Sequence, residues 1–212
     1  MNHEDVTYMR LAIEEAKKGS GRTSPNPCVG AVIVREGTDV GRGYHRKAGT
    51  PHAEVNAITD AGKYAAGAIL YVTLEPCNHT GRTPPCTQAI VEAGLSRVVV
   101  GMLDPNPTVT GGGCEYLASQ GIAIESGLME EECKALNRPF IKHSMTGLPW
   151  VVMKAGLSLD GKISYAKGKG GTITGDQSRR STHQLRNTLD AILIGVETAL
   201  IDNPSLTTRL PD

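Results

Sequence analysis

Between residues 69 and 125 short apolar runs rich in β-branched residues alternate with helix-length stretches, and this rhythm restricts the fold more than any other feature of the chain. Strands are expected at 69–74, 97–102 and 122–125, with helices at 86–94 and 114–120 between them. Strand, helix, strand in this order implies crossover connections and a largely parallel sheet with helices packed on it. Upstream, Val29 to Val34 and Val40 to His45 flank the turn-forming run Arg35-Glu36-Gly37-Thr38-Asp39, so an antiparallel hairpin joins one side of the sheet. Residues 4–18 place Met9, Ala12, Ile13 and Ala16 on one helical face, with Lys17 and Lys18 in the last turn and Gly19 as the stop. A second helix is expected from Pro51 to about Gly62, with Thr50 as its cap and Pro51 at its first position.

A helix over 130–137 and the segment 139–147 read as a connector to a fresh apolar run at 150–157. Beyond it come a glycine-rich stretch at 167–175, a helix at 176–189 and a strand at 191–195. The expected organisation is α/β, with a first domain over 1–145 and a second over 146–212. The second is near the lower size limit for an independent core.

Net charge decides the partner class. The chain carries 22 Lys+Arg against 22 Asp+Glu and 4% aromatics. Neither a polycationic surface nor a base-stacking groove is implied, so nucleic acid and anionic membranes are poor partners. The start Met1-Asn2-His3-Glu4-Asp5 lacks the basic-then-apolar order of a secretory signal, and a cytoplasmic setting is expected. Five cysteines in such a setting are mostly reduced thiols, available for metal. Cys28, Cys114 and Cys133 read as small apolar fillers.

The chemistry concentrates in His52-Ala53-Glu54, Pro76-Cys77 and Pro85-Cys86. One neutral imidazole and two thiolates balance the charge of Zn2+ and leave the fourth tetrahedral position for water, as in catalytic sites. Two thiolates also weaken the metal as an acid, which makes a nearby carboxylate able to take a proton useful, and Glu54 is placed for that. A structural zinc would instead require a fourth protein ligand such as His79. Read alone, Glu54 is an ordinary acid of a first helical turn. The loop 78–85 adds His79 and Arg82 beside the metal, suited to an anionic substrate, although Arg82 also reads as a solvated loop charge.

The H-x-E and Pro-Cys pattern is that of zinc nucleobase deaminases, from which this chain departs by placing eight residues, 78–85, between Cys77 and Cys86. With Ser24-Pro25-Asn26-Pro27, Gly43-Tyr44-His45, Thr73-Leu74-Glu75-Pro76-Cys77 and Asp104-Pro105-Asn106-Pro107, it resembles the riboflavin-biosynthesis bifunctional deaminase/reductase family. The resemblance implies a cytidine-deaminase-like mixed sheet layered with helices, followed by a partial dihydrofolate-reductase-like domain. It implies hydrolytic deamination of a diaminohydroxy-phosphoribosylaminopyrimidine to the aminouracil ribotide and ammonia, with zinc held by His52, Cys77 and Cys86 and protons carried by Glu54. Asn26, His45, His79 and Arg82 stand where the family approaches base and ribose phosphate. His45 is equally consistent with strand-end structure, and Asn26 with a turn before Pro27.

After residue 150, Met153-Lys154, Ser158-Leu159-Asp160-Gly161-Lys162, Asp190 to Gly195 and Asp202 to Arg209 resemble the first part of the family's NADPH-dependent reductase. The resemblance places Gly156, Thr198 and Asp202 on the cofactor side and Arg186, Leu206 and Arg209 on the substrate side. It also implies a further stretch of reductase sequence, so no reduction is expected from these 212 residues alone. Homo-oligomerisation is left open. The rival readings are a zinc deaminase of nucleosides or nucleic-acid bases, and a non-catalytic binding module stabilised by zinc.

Overall fold

A computed structural model describes residues 3–80, 84–106, 112–166, 168–169 and 171–210. The chain divides into two compact units, Met1–Trp150 and Val151–Asp212.

The first unit is a five-stranded mixed sheet in the order β2-β1-β3-β4-β5, with strands β1 Gly30–Arg35, β2 Thr38–Tyr44, β3 Ile69–Leu74, β4 Arg97–Met102 and β5 Ala123–Ser126. Its helices are α1 His3–Lys17, α2 Ala53–Ala61, α3 Cys86–Glu92, α4 Gly113–Ser119, α5 Glu130–Leu136 and α6 Arg138–Thr146. The hairpin forms as expected: Glu36 and Gly37 both adopt positive φ, 51° and 74°, which matches the twist that a two-residue turn must carry. Antiparallel pairing extends further than the sequence implied, because β1 is antiparallel to β3 as well as to β2. The physical reason is that the chain crosses from β2 over β1 by way of α2, so β3 returns in the direction of β2. Only β3, β4 and β5 are mutually parallel. Segment 139–147, expected as connector, is helical within α6, with Pro139 in its first turn, where its missing N–H costs nothing, and Gly147 in the left-handed conformation as its stop.

Periodicity explains the core. Met9, Ala12, Ile13 and Ala16 are all buried along one face of α1. In β3 and β4 every residue after the first is buried, as in strands covered on both faces. The approach of α2 to β2 is unusually close. Ala53, Ala57 and Ala61 recur every fourth residue and are buried, facing Gly41 and Gly43, which alternate on one face of β2. A Cβ at Gly43 would stand 2.3 Å from the Ala53 carbonyl oxygen and 2.4 Å from the Ala57 nitrogen. The backbone of the first turn of α2 is therefore registered directly on the strand.

Gly43→Ala is expected to push α2 outward, lowering stability by about 1–3 kcal/mol, the usual cost of overpacking. The midpoint of urea unfolding measures it, and an unchanged midpoint would show that the helix yields without cost.

The second unit differs from expectation. It contains α7 Asp176–Arg186 and α8 Val196–Asp202, the latter without a signal recognised in the sequence. The runs 150–157 and 191–195, expected as strands, form no sheet; among the described residues the unit's backbone pairing is an isolated bridge between Ala166 and Lys169. Apolar patterning reports a preference for extended chain, whereas a strand exists only through a partner, and these described residues supply none. None of the described residues 151–210 is buried, and Met153 and Leu193 are 95% and 98% exposed. Across the described residues no helix is long and apolar enough to cross a membrane.

Candidate active site

Strands β2, β3 and β4 end at the same edge of the sheet, where β1 begins, and helices α2 and α3 start there. Ligand sites in layered α/β folds favour this carboxyl edge. His52 is the residue before α2, with extended backbone (φ −74°, ψ 169°), so the helix opens two residues later than the Thr50 cap predicted. Thr50 instead donates its hydroxyl hydrogen bond to the Lys47 carbonyl at 2.7 Å. The later start favours convergence, because a side chain off the helix can turn across its end while Glu54 stays in the first turn. Cys86 opens α3 after Pro84 and Pro85, and Cys77 lies in the loop that follows β3.

His52 Nδ1, Cys77 Sγ and Cys86 Sγ lie within 4.8 Å of one another. The imidazole Nδ1 is 3.2 Å from Cys86 Sγ and 3.5 Å from Cys77 Sγ, so one nitrogen and two sulfurs converge on a single point. The backbone N–H of Cys86 donates to Cys77 Sγ at 3.3 Å, and that of Thr87 to the Cys77 carbonyl at 3.2 Å. Hydrogen bonding from the Cys86 thiol and from His52 pulls the Cys77 thiol below its ordinary value despite burial. The same bond with Cys77, together with burial, pushes Cys86 up, so the second thiolate forms only against the first. Hydrogen bonding to Cys77 raises His52. One imidazole and two thiols at this spacing suit Zn2+, a +2 ion that would offset the mutual repulsion of two thiolates.

Glu54 is 3% exposed and contacts the Cys86 thiol without belonging to the three-donor cluster. Burial, then the charge of Cys77, pushes its carboxyl up to about 7. The group is placed to gain or lose a proton near neutrality beside the donors.

Other expected residues surround this centre. His45 is 2% exposed, and its ring meets the His52 ring edge-on at 5.2 Å between centroids. The Pro51 carbonyl, 3.3 Å from His45 Nδ1, can only accept, so Nδ1 carries the proton and Nε2 accepts from the Asn26 amide at 3.1 Å. Burial lowers His45, in keeping with a neutral ring. His79 is exposed in the loop after Cys77 and close enough to Asp104 to act on its charge; burial, opposed by the Asn106 N–H, pushes the Asp104 carboxyl up. Arg82 lies outside the described residues, as does Pro107 of the Asp104-Pro105-Asn106-Pro107 motif. Gly113 opens α4.

The sequence reading did not separate Glu75 and Asp104 from the runs that contained them. Glu75 accepts the backbone N–H of Asp104 through Oε2 and of Cys114 through Oε1, both at 3.1 Å, so one carboxylate ties two chain segments to the strand end that carries Cys77. Among the filler cysteines, Cys133 is buried, whereas Cys28 and Cys114 are half-buried.

In the second unit, Arg186 Nη1 donates to the carbonyls of Ser205 and Thr207, both at 3.3 Å, and Arg209 Nη1 donates to their hydroxyl oxygens at 2.8 and 2.9 Å. The Arg209 N–H also reaches His183 Nδ1 at 3.1 Å, adding a residue the sequence did not mark. Leu206 belongs to the same loop and is half-buried. Thr198 and Asp202 lie one turn apart on α8, both exposed, while Gly156 faces Thr174. The two arginines that the resemblance places on the substrate side are thus gathered around one loop, and among the described residues no such gathering links Gly156 to α8.

Two family models match the chain: the cytidine and deoxycytidylate deaminase zinc-binding region over residues 2–102, and the RibD C-terminal domain over 149–212. The riboflavin biosynthesis protein RibD of Aquifex aeolicus is 51% identical over 97% of this chain and 58% of its own length. The RibD structure from Acinetobacter baumannii, form 1, superposes with a TM-score of 0.92 at 45% identity, covering 98% of this chain and 58% of that one. A diaminohydroxyphosphoribosylaminopyrimidine deaminase/5-amino-6-(5-phosphoribosylamino)uracil reductase from Thermotoga maritima gives 0.93 at 47%, covering 98% and 60%. The chain spans 55–58% of the length of the first curated relatives it matches.

Proposed function

The chain belongs to the RibD family of riboflavin biosynthesis, and from that membership we propose that its first unit is a zinc-dependent deaminase of the diaminohydroxy-phosphoribosylaminopyrimidine ribotide, working in the cytoplasm. The observation that carries this reading is the convergence of His52 Nδ1, Cys77 Sγ and Cys86 Sγ against a buried carboxylate that is not part of the donor set. When bound, zinc supplies Lewis acidity that lowers the pKa of water and favours its attack on the ring carbon bearing the amine. His52, Cys77 and Cys86 hold the ion. Glu54 takes one proton from the attacking water and gives it to the ring nitrogen, then takes the proton of the hydroxyl newly bonded to the ring carbon and gives it to the departing amine, so that ammonia leaves and a carbonyl remains.

Asn26, His45 and His79, with Arg82 in the loop beyond, are assigned to the substrate side. The full burial of His45 supports an indirect part, through Asn26 and the Pro51–His52 peptide. Asn26 and His79 supply polar groups for base and phosphate. In the second unit, Arg186, Leu206 and Arg209 are assigned to a substrate phosphate, since guanidinium forks suit phosphate oxygens, and Gly156, Thr198 and Asp202 to NADPH. The formal net charge of zero supports a small-molecule partner over nucleic acid or anionic membrane.

Incubating the zinc-loaded chain with the ribotide should exchange one amine for oxygen, seen by mass spectrometry, with release of ammonia. Recovery of unchanged ribotide would overturn the reading. Adding NADPH to the deaminated product should give no loss of NADPH absorbance, because none of the described residues 151–210 is buried and a cofactor there would meet an open surface. NADPH oxidation above the blank would refute that part.

A further inference from the structure

Asn137 lies between α5 and α6, outside the residues matched by the deaminase model, and is 2% exposed. A buried amide is costly unless every polar atom finds a partner, and here the partner is a distant backbone. Asn137 Oδ1 accepts the Cys28 N–H at 2.8 Å, and Asn137 Nδ2 donates to the Cys28 carbonyl at 2.9 Å. The side chain thus takes both hydrogen bonds of one residue, as a neighbouring strand would, just before β1 begins. Two residues upstream, Asn26 donates through Nδ2 to His45 Nε2, and His45 donates in turn to the carbonyl of Pro51, the residue preceding His52. The Asn26 N–H bonds the Thr23 carbonyl at 2.8 Å, so this loop is folded on itself and hangs from Cys28. An amide oriented by its Nδ2 bond has its oxygen direction set as well, since the two ends of the planar group move together.

We propose that Asn137 is a positioning residue for the deaminase pocket: by clamping the Cys28 backbone it holds Asn26 on His45 and fixes the direction in which Asn26 Oδ1 meets the substrate. The proposal rests on the assignment of Asn26 to the substrate side. It gives the helices beyond β5 a part in the site that their distance in sequence conceals.

The test uses the whole zinc-loaded chain, with Asn137→Ala and, should that variant fold poorly, Asn137→Asp, which keeps the acceptor for the Cys28 N–H but sets a carboxylate against the Cys28 carbonyl. Nitrogen-15 spectra of the His45 imidazole should show a single Nδ1–H tautomer in the wild type and a changed Nε2 resonance in either variant, with zinc content unaltered. KM for the ribotide should rise about tenfold, the equivalent of one lost hydrogen bond, with kcat little changed. In an Asn26→Ala background the same Asn137 substitution should raise KM no further, because the two act in series. An unchanged His45 spectrum, an unchanged KM, or an Asn137 effect that adds in full to that of Asn26→Ala would each overturn the proposal. Should the wild type fail to deaminate the ribotide, the function assigned above falls, while the His45 spectrum still decides whether Asn137 holds this loop.

Discussion

Glu54→Gln should lower kcat for deamination by about 10²–10⁴-fold, the range lost with a positioned acid-base group, while the variant keeps its zinc and its melting behaviour. Gln matches Glu in length and shape, so the buried space against Cys86 stays filled and the donor cluster is not disturbed. The amide cannot accept a proton from water and return it to nitrogen, and the proposed mechanism requires both in each turnover. KM should change little, since the task proposed for the carboxylate is transferring protons and not holding the ribotide. The measurements are steady-state kinetics by ammonia release, with metal analysis and thermal unfolding on the same preparation. A kcat within a few-fold of wild type would remove Glu54 from the mechanism. Lost zinc together with lost activity would show that the side chain maintains the site instead of working in it.

Much of this centre was legible because its signals are local. His52 with Glu54, and the prolines before Cys77 and Cys86, announce chain directions within a few residues, and the structure brings the three donors together. The strands at 69–74 and 97–102 were equally readable, since strands buried on both faces are continuously apolar. The exact opening of α2 was not. Thr50 and Pro51 carry the usual starting signals, but the carbonyl of Pro51 accepts hydrogen bonds from the side chains of His45 and Asn56, which leaves the helix to begin at Ala53. The antiparallel pairing of β1 with β3 depends on which side of the hairpin the chain returns to, and no residue type encodes that choice locally.

Asn137 shows the limit most clearly. Its bonds to Cys28 span 109 residues, and in the sequence it reads as an ordinary end to a helix. Glu75 is similar: its two backbone partners lie 29 and 39 residues downstream. In the second unit the apolar runs at 150–157 and 191–195 carry a strand signal, yet pairing requires a neighbour, and the described residues offer none.

Cys86→Ser should cost the site more than 100-fold in zinc affinity. That figure is the upper end of what loss of a mere outer partner costs a metal site, and Cys86 is one of three donors. Serine keeps the size of the side chain, but its hydroxyl is a harder and far less acidic ligand than a thiol, so the charge balance that suits zinc is lost. The consequence reaches beyond catalysis, because a metal that binds only the folded chain stabilises it by mass action. With free zinc at 1,000 times the wild-type Kd, the gain is about 4.1 kcal/mol. At the same zinc concentration a variant bound 100-fold more weakly gains about 1.4 kcal/mol, and one weaker still gains less. Chelator-stripped protein, unfolded in urea with and without added zinc and followed by circular dichroism, therefore separates the two chains by roughly 3 kcal/mol in their response to metal. Without zinc they should unfold almost alike, since the serine occupies the same buried position at the head of α3. An equal stabilisation of both by zinc would mean that the ion is held elsewhere, and the convergence of His52, Cys77 and Cys86 would then have to be explained as packing.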